Sequence, residues 1–265
     1  MNGLALYGRF IGVSIRGQML YPSAFLLRLA GQFLVTIIEF GGVWALFGRF
    51  GHVRGWNFAE VSLFYATASI AFAFADGLSR GFDSVGPLFI KTGNFDRILL
   101  RPRSSALQIT GSEFGLSSAG RVVQGLVALA VAVYLLRPAW GPGAWLLLLW
   151  GIAGGVSVFF SLKMLEGVLA FWTTEGLEVA NTLTYGGEAA AQYPLDIYAR
   201  WFRNFLLYFV PIGCSLYLPV AVVLGHDTGV AAWIAVLAPA TGFAAFGAAL
   251  AFWAFGIRHY TSTGS

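Results

Sequence analysis

Two pairs of charged residues lie within stretches of sequence that are otherwise apolar. Asp76 and Arg80 are four residues apart, and Lys163 and Glu166 are three apart, so each pair shares one face of a helix. Opposite charges at this spacing can neutralise each other, which lowers the cost of placing them in a membrane. We interpret both pairs as structural ion pairs, with a substrate or proton site as the alternative.

Two further carboxylates, Glu39 and Glu113, have no basic residue at helical spacing. An ionisable group inside a membrane segment is costly and commonly marks a transport path or a polar internal surface. Glu39 and Glu113 are therefore the better candidates for such a surface.

No enzymatic motif accompanies these charges. The sequence has no glycine-rich nucleotide-binding loop, no His-Glu-x-x-His and no pair of cysteines, since Cys214 is its single cysteine. A membrane-embedded enzyme would need a nucleophile with its base, or a set of metal ligands, and neither is recognisable. We expect no catalytic residue, no metal site and no cofactor bound by this chain.

The apolar stretches that carry these charges predict an all-α, polytopic membrane protein. Hydrophobic residues make up 58% of the 265 residues and charged residues 11%, whereas soluble domains carry about 25% charged residues. Six apolar stretches are predicted as transmembrane helices, with five or seven as the alternatives, and an amphipathic interfacial helix precedes them at residues 1–22. The predicted spans are residues 23–48, 58–85, 105–136, 143–173, 204–218 and 229–257. Residues 174–203 are predicted as a cytoplasmic loop with short helical pieces, and residues 219–228 as a re-entrant or interfacial segment.

The basic residues predict the orientation of these spans. With both termini, residues 86–105 and 174–203, and the span ends at Arg28 and Arg80 on one side, that side has eleven lysines and arginines and the other has three. Because loops rich in basic residues stay in the cytoplasm, we predict that both termini are cytoplasmic.

The densest polar segment is residues 93–103, which follow the second predicted span. Arg97, Arg101 and Arg103 accompany a single acid, Asp96, and the apolar side chains of Phe89, Ile90, Phe95, Ile98 and Leu99 lie among them. Such a segment can bury its hydrophobic side chains in a groove while its charges meet acidic residues at the rim. The alternative is that these cations only enforce topology and bind anionic lipid.

The sequence from Asn94 to Pro102, NFDRILLRP, resembles the segment after the second span of ABC-2-type permeases, in the branch with six spans and no fused ATPase. Further similar features follow in order along nearly the whole chain. They are Phe171-Trp172, Tyr193-Pro194-Leu195, Pro211, Pro219 and the tail at residues 256–265.

The resemblance implies that residues 1–265 form one transmembrane domain, the permease subunit of an ABC-2-type exporter in a bacterial cytoplasmic membrane. Its partners would be membrane lipid, ABC ATPase subunits that bind ATP and Mg²⁺, and a second permease, with a paralogue favoured over an identical copy. No nucleic acid is implied, and the substrate stays open. Residues 86–104 would be the cytoplasmic coupling segment. The residues assigned to ATPase coupling are Phe89, Phe95, Asp96, Arg97, Leu99, Arg101 and Pro102. The alternative function is a stand-alone ion-coupled transporter or channel that uses Asp76, Glu39 and Glu113.

Overall fold

The computed structural model describes residues 3–20, 22–115, 118–173 and 177–262, and these residues form helices joined by short turns. The ends of the predicted interfacial helix and tail, at residues 1–2 and 263–265, and the start of the predicted loop, at residues 174–176, lie outside the described residues. The α-helices are α1 (Gly3–Gln18), α2 (Pro22–Phe50), α3 (Phe58–Ser79), α4 (Asn94–Leu99), α5 (Ser105–Ser112), α6 (Ser118–Leu136), α7 (Pro142–Leu169), α8 (Leu177–Ala191), α9 (Arg200–Asn204), α10 (Leu218–Val223), α11 (Ala232–Leu237) and α12 (Ala240–His259).

The predicted all-α polytopic membrane fold is confirmed. Within the described residues, five helical segments are long and apolar enough to cross a membrane, or six if one sharply bent pair is counted. Four of them correspond to the predicted spans at 23–48, 58–85, 143–173 and 229–257. The remaining two predicted spans differ from the structure.

Helix α3 is the centre of the bundle. Nearly all of its side chains are buried, and it packs against α6, α7 and α8. Alanines such as Ala68 and Ala71 let neighbouring helices approach closely, because they add little volume at the contact. A capping box begins the helix: the Asn57 side chain accepts from the Glu60 backbone N–H at 3.0 Å, and the Glu60 carboxylate accepts from the Asn57 backbone at 2.8 Å.

Helices α7 and α12 meet at glycines. A methyl group built on Gly242 would overlap the Gly154 carbonyl, and one built on Gly154 would lie 2.7 Å from the Pro239 carbonyl oxygen. Only glycine permits this approach, which fixes α12 against the core of the bundle.

The predicted span at 105–136 ends where predicted but begins too early, because the helix breaks after Ser112. Helix α5 ends at Ser112, Glu113 is extended (φ −142°, ψ 130°), and α6 begins at Ser118. In the break, the Gly115 N–H donates to the Gly77 carbonyl at 3.1 Å. This bond holds the broken segment against α3, so α6 alone forms this transmembrane segment.

The predicted cytoplasmic loop at 174–203 also differs, because it contains α8. The end of α7 lies at one end of α3, because Gly167 contacts Phe82, which follows α3 in the sequence. Asp196, which follows α8, lies at the other end, because it accepts a hydrogen bond from Trp56, which precedes α3. Between these points, Tyr185 contacts Phe72 near the middle of α3, with ring centroids 5.4 Å apart. Helix α8 therefore carries the chain from one end of the bundle to the other. Its 15 residues are fewer than those of the candidate membrane spans, and we predict from these contacts that it is the fifth crossing segment.

This crossing moves Arg200 and Arg203 to the side opposite the termini. The count of basic residues changes from eleven against three to nine against five, as two leave one side and join the other. The charge bias therefore still predicts that the termini are cytoplasmic.

The predicted fifth span at 204–218 is a bent pair of helical arms. Arg200–Phe209 and Gly213–Val223 meet at 87°, with Pro211 at the bend. Both ends of the pair lie near Trp56, since Trp56 contacts Asp196 before it and His226 after it. The bend itself packs against the core around Phe72. The pair therefore enters the bundle and returns to the same side, which makes it a re-entrant hairpin.

The re-entrant segment predicted at 219–228 is consequently misplaced. Pro219 lies where the π-helical turn Gly213–Tyr217 passes into α10, and the helical arm continues through it to Val223. Pro211 makes the bend instead, because it cannot donate the backbone bond that a continuous helix requires.

Both ends of the described chain lie at the same end of the bundle as residues 86–104. The Tyr7 hydroxyl donates to the Leu78 carbonyl at 3.3 Å, and the Ser262 hydroxyl donates to Asp96 at 2.6 Å. Helix α1 has Tyr7 half-buried and Arg9 and Arg16 exposed, which agrees with its amphipathic pattern. Its position along the membrane surface stays a prediction.

Candidate functional site

The polar segment after α3 folds as two short helical pieces. Val85–Ile90 is a wide π-helical turn, and α4 follows it after Gly93, whose positive φ of 69° reverses the chain without strain on a side chain. The two pieces are close enough to form one surface at the end of the bundle.

The inner half of this segment is part of the hydrophobic core. Phe95 is 0% exposed and packs against the rings of Phe171, Tyr260 and Trp253, with centroids 5.0, 4.9 and 6.3 Å away. Ile90 and Ile98 are buried beside it. The ring of Phe95 is therefore enclosed by the chain's own aromatic residues and does not lie on the surface, and its assignment to ATPase coupling stays a prediction.

The outer half of the segment is a mixed apolar and basic surface. Leu88, Leu99 and Leu100 are exposed, Leu100 to 84% of its area, and Arg97 and Arg101 are exposed beside them. We call these five residues the docking face. Within the described residues, neither arginine forms a salt bridge.

The remaining residues assigned to coupling differ in exposure. Pro102 is exposed, whereas Phe89 and Asp96 are half-buried. The Asp96 carboxylate accepts a hydrogen bond from the Ser262 hydroxyl in the C-terminal tail, so a partner would compete with the tail for this carboxylate.

Lys163 is the centre of a buried charge network. Its side chain is 1% exposed, and its ammonium donates to both oxygens of Asp83, at 3.0 and 3.1 Å. It also donates to the Tyr185 hydroxyl at 3.2 Å and lies 3.9 Å from Asp76. The network joins the end of α3 to α7 and α8, three elements that converge from distant parts of the sequence.

The second part of the network extends from Asp76 to the break before α6. Asp76 accepts from Ser118 at 2.7 Å and lies 3.7 Å from Arg80, as the helical spacing predicts. Arg80 lies 4.0 Å from Glu113, which accepts from Ser84 at 2.8 Å. Glu113 therefore has partners that its local sequence does not indicate.

The predicted pair of Lys163 and Glu166 is not formed as an ion pair within 4 Å among the described residues. The lysine extends toward the carboxylates at the end of α3 instead, because two acids there compete with one on its own helix. Glu166 is 2% exposed, and its Oε2 atom has no hydrogen-bond partner among the described residues.

A separate polar cavity of about 280 Å³ lies between α2, α3, α6 and α8. Arg121 and Glu188 line it and lie 3.9 Å apart, and the Arg121 guanidinium is 5.2 Å from the Phe72 ring centroid. Glu39 lines the same cavity from α2. Sequence reasoning missed this pairing, because it placed Glu188 in a loop outside the membrane.

The opposite end of the bundle is held by a cluster around Trp56. Its ring stacks on His226 at 3.8 Å, and its N–H donates to Asp196 at 2.9 Å, while His226 lies 2.8 Å from Glu60. Burial raises the pKa of nearby Tyr198 to about 12, so its hydroxyl stays protonated and donates to the Ala190 carbonyl at 3.2 Å. In the described part of the chain, no cluster of His, Cys, Asp and Glu could hold a metal ion.

Comparison with known proteins returns one finding. Residues 33–264 match the model of a family described as ABC-2 family transporter protein. No curated protein matches the chain, and no solved structure matches it.

Proposed function

Because the chain belongs to the ABC-2 family of transporter proteins, we propose that it is the permease subunit of an ATP-driven exporter. The family makes it a multi-pass membrane component of an ABC-type transporter. In the proposed assembly, a second permease, with a paralogue favoured, completes the substrate path. Two cytoplasmic ATPase subunits bind ATP and Mg²⁺, and the membrane is the bacterial cytoplasmic membrane.

The observation that carries the proposal is the docking face. Exposed leucines beside unpaired arginines are unusual at a water-facing end of a protein, since apolar side chains gain by burial in a partner. Leu99 and Leu100 suit a hydrophobic groove, and Arg97 and Arg101 suit acidic residues at its rim. An ATPase with such a groove is the partner this surface fits.

The contacts behind the docking face suggest how a push on it would reach the membrane. Phe95 joins the docking face to Trp253 of α12, and Phe82, at the end of α3, contacts the same tryptophan with centroids 5.2 Å apart. Densely packed aromatic contacts transmit displacement with little compression. Closure of the ATPases would therefore tilt α3 and α12 together and change access to a path between the two permeases.

The experiment is co-purification of the ATPase with the tagged permease from its native host. We expect Arg97→Gln/Arg101→Gln to weaken ATPase capture about fivefold, since each exposed charge contact contributes about 0.5 kcal/mol. The matched control, Arg49→Gln/Arg137→Gln, removes two arginines at the opposite end and should leave capture unchanged. Unchanged capture by Arg97→Gln/Arg101→Gln, with normal membrane insertion, would leave these arginines with a role in topology alone and overturn the role of the docking face. Equal loss of capture in both variants would also overturn it, because the effect would not depend on the position of the arginines.

Transport measurements separate the proposal from the alternative of a stand-alone ion-coupled transporter. The paired state of Asp76 with Lys163, Arg80 and Ser118 supports a structural role for this carboxylate. We expect vesicle transport to require ATP and to persist when the proton gradient is collapsed. Transport driven by a proton gradient without ATP, together with no captured ATPase, would contradict the exporter.

A further inference from the structure

Two cavities of opposite character adjoin within one subunit. The polar cavity described above, of about 280 Å³, is continuous in its lining with an apolar cavity of about 530 Å³ between α2, α3 and α6. Tyr65 and Gln124 line both. The apolar cavity is lined mainly by aromatic and aliphatic side chains, among them Phe33, Phe40, Trp44 and Val131.

The charges of the polar cavity are not balanced. Among the described side chains that line it, Glu39 and Glu188 are acidic and Arg121 is basic. Arg121 lies 3.9 Å from Glu188, so these two charges offset each other. Glu39, which is exposed at the edge of the cavity, is left as a surplus negative charge.

We propose that the joined cavities bind a hydrophobic cation, with its charged group at Glu39 and its apolar body in the cavity between α2 and α6. Amphiphilic ligands are recognised by an apolar pocket with a few polar groups that fix orientation. The rings of Trp44 and Phe40 add attraction for a cation, because aromatic faces carry negative potential. The inference rests on the proposed function, since it names the substrate class of the exporter.

The opposite charge is disfavoured by the same geometry. A hydrophobic anion would bring its charge beside Glu39 and would have to compete with Glu188 for Arg121. Because electrostatic interactions are stronger in a medium of low dielectric, this difference in sign should separate ligands of equal size and shape.

The test is equilibrium binding to the full chain in lipid nanodiscs, with tetraphenylphosphonium as the cation and tetraphenylborate as its anion of matched shape. Empty nanodiscs give the partition of each probe into lipid. We expect saturable binding of tetraphenylphosphonium only. Glu39→Gln should weaken it about tenfold, as the loss of one charge contact of about 1.4 kcal/mol predicts.

Two control variants keep the test specific. Asp227→Asn removes one negative charge from an exposed loop outside the cavities and should leave binding unchanged. Ile37 lines the apolar cavity, whereas its neighbour Ile38 does not, and both are exposed. We expect Ile37→Ala to weaken binding about threefold and Ile38→Ala to have no effect, since only the first removes apolar contact with the probe.

Three results would overturn the inference: equal binding of both probes, unchanged affinity in Glu39→Gln, or no saturable binding. Equal binding would identify the cavities as a groove for lipid. Because Glu39 is exposed, its replacement should leave the fold intact, and thermal unfolding of the variant verifies this. The binding assay needs no ATPase, so its failure leaves the exporter proposal standing, and failure of ATPase capture leaves the binding result standing.

Discussion

Replacement of Lys163 by methionine tests whether the buried charge network holds α3 to α7. Methionine has a similar length but no charge, so Lys163→Met removes the ammonium and leaves most of the packing. Asp83 then loses a partner at 3.0 Å, and Asp76 loses one at 3.9 Å. Both carboxylates remain at the interface between the helices.

The expected destabilisation follows from burial. Removing one partner of a buried ion pair costs about 3–5 kcal/mol, because the remaining charge is uncompensated. Asp83 is 29% exposed and regains some hydration, so we take the lower end, about 3 kcal/mol. For a chain of this size each kcal/mol corresponds to about 2–4 °C, which predicts a melting temperature lower by about 6–12 °C.

The assay is thermal unfolding of the protein in nanodiscs. Asp83→Asn/Lys163→Met should regain about half of the loss or more, because the uncompensated carboxylate is gone and Asp76 keeps Ser118 and Arg80. Lys91→Met makes the same chemical change at an exposed site and should unfold with the wild type. The reasoning would be refuted if Lys163→Met unfolded within about 2 °C of the wild type. It would also be refuted if Asp83→Asn/Lys163→Met were no more stable than Lys163→Met.

The remaining predictions concern helix packing and topology. Gly242→Ala should lower the free energy of unfolding by about 1–3 kcal/mol, because the added methyl group overpacks against α7. In the control Gly247→Ala, the methyl group meets nothing within 4 Å, so stability should hardly change. Equal melting temperatures of the two variants would contradict the glycine contact. In a Cys214→Ser background, a membrane-impermeant maleimide should label Arg200→Cys on intact cells but Lys91→Cys only after permeabilisation. Labelling of both from the same side would show that α8 does not cross the membrane.

The predictions from sequence succeeded where local composition controls the structure. Long, predominantly apolar runs such as α7 and α12 are stable only in lipid or in a large core, so their existence follows from hydropathy alone. The polar segment after α3 was also recognisable as a water-facing segment, because basic residues between two apolar runs must face water; its role in coupling stays a proposal. The division of this segment into a buried side and a docking face was not recognisable, since Phe95 and Leu100 are equally apolar in sequence.

The sequence analysis predicted a loop where α8 lies and a span where the hairpin lies. Both errors arise because the local sequence does not show which residues become buried. Helix α8 carries Glu188, whose burial depends on Arg121 from α6, so its sequence alone indicates a water-exposed loop. Residues 204–218 of the hairpin are largely apolar, and Leu206 and Leu216 pack on the core around Phe72, so the sequence alone indicates a span.

The sequence by itself determined the class of the protein, the position of most of its long apolar helices and the end of the bundle that carries more of the positive charge. These properties depend on sums over many residues, to which each residue contributes independently. The tertiary structure alone decided that Lys163 pairs with Asp83, that Glu113 meets Arg80, and that two cavities share one wall. Such pairings depend on which helices become neighbours, and that is set by close packing across the whole bundle.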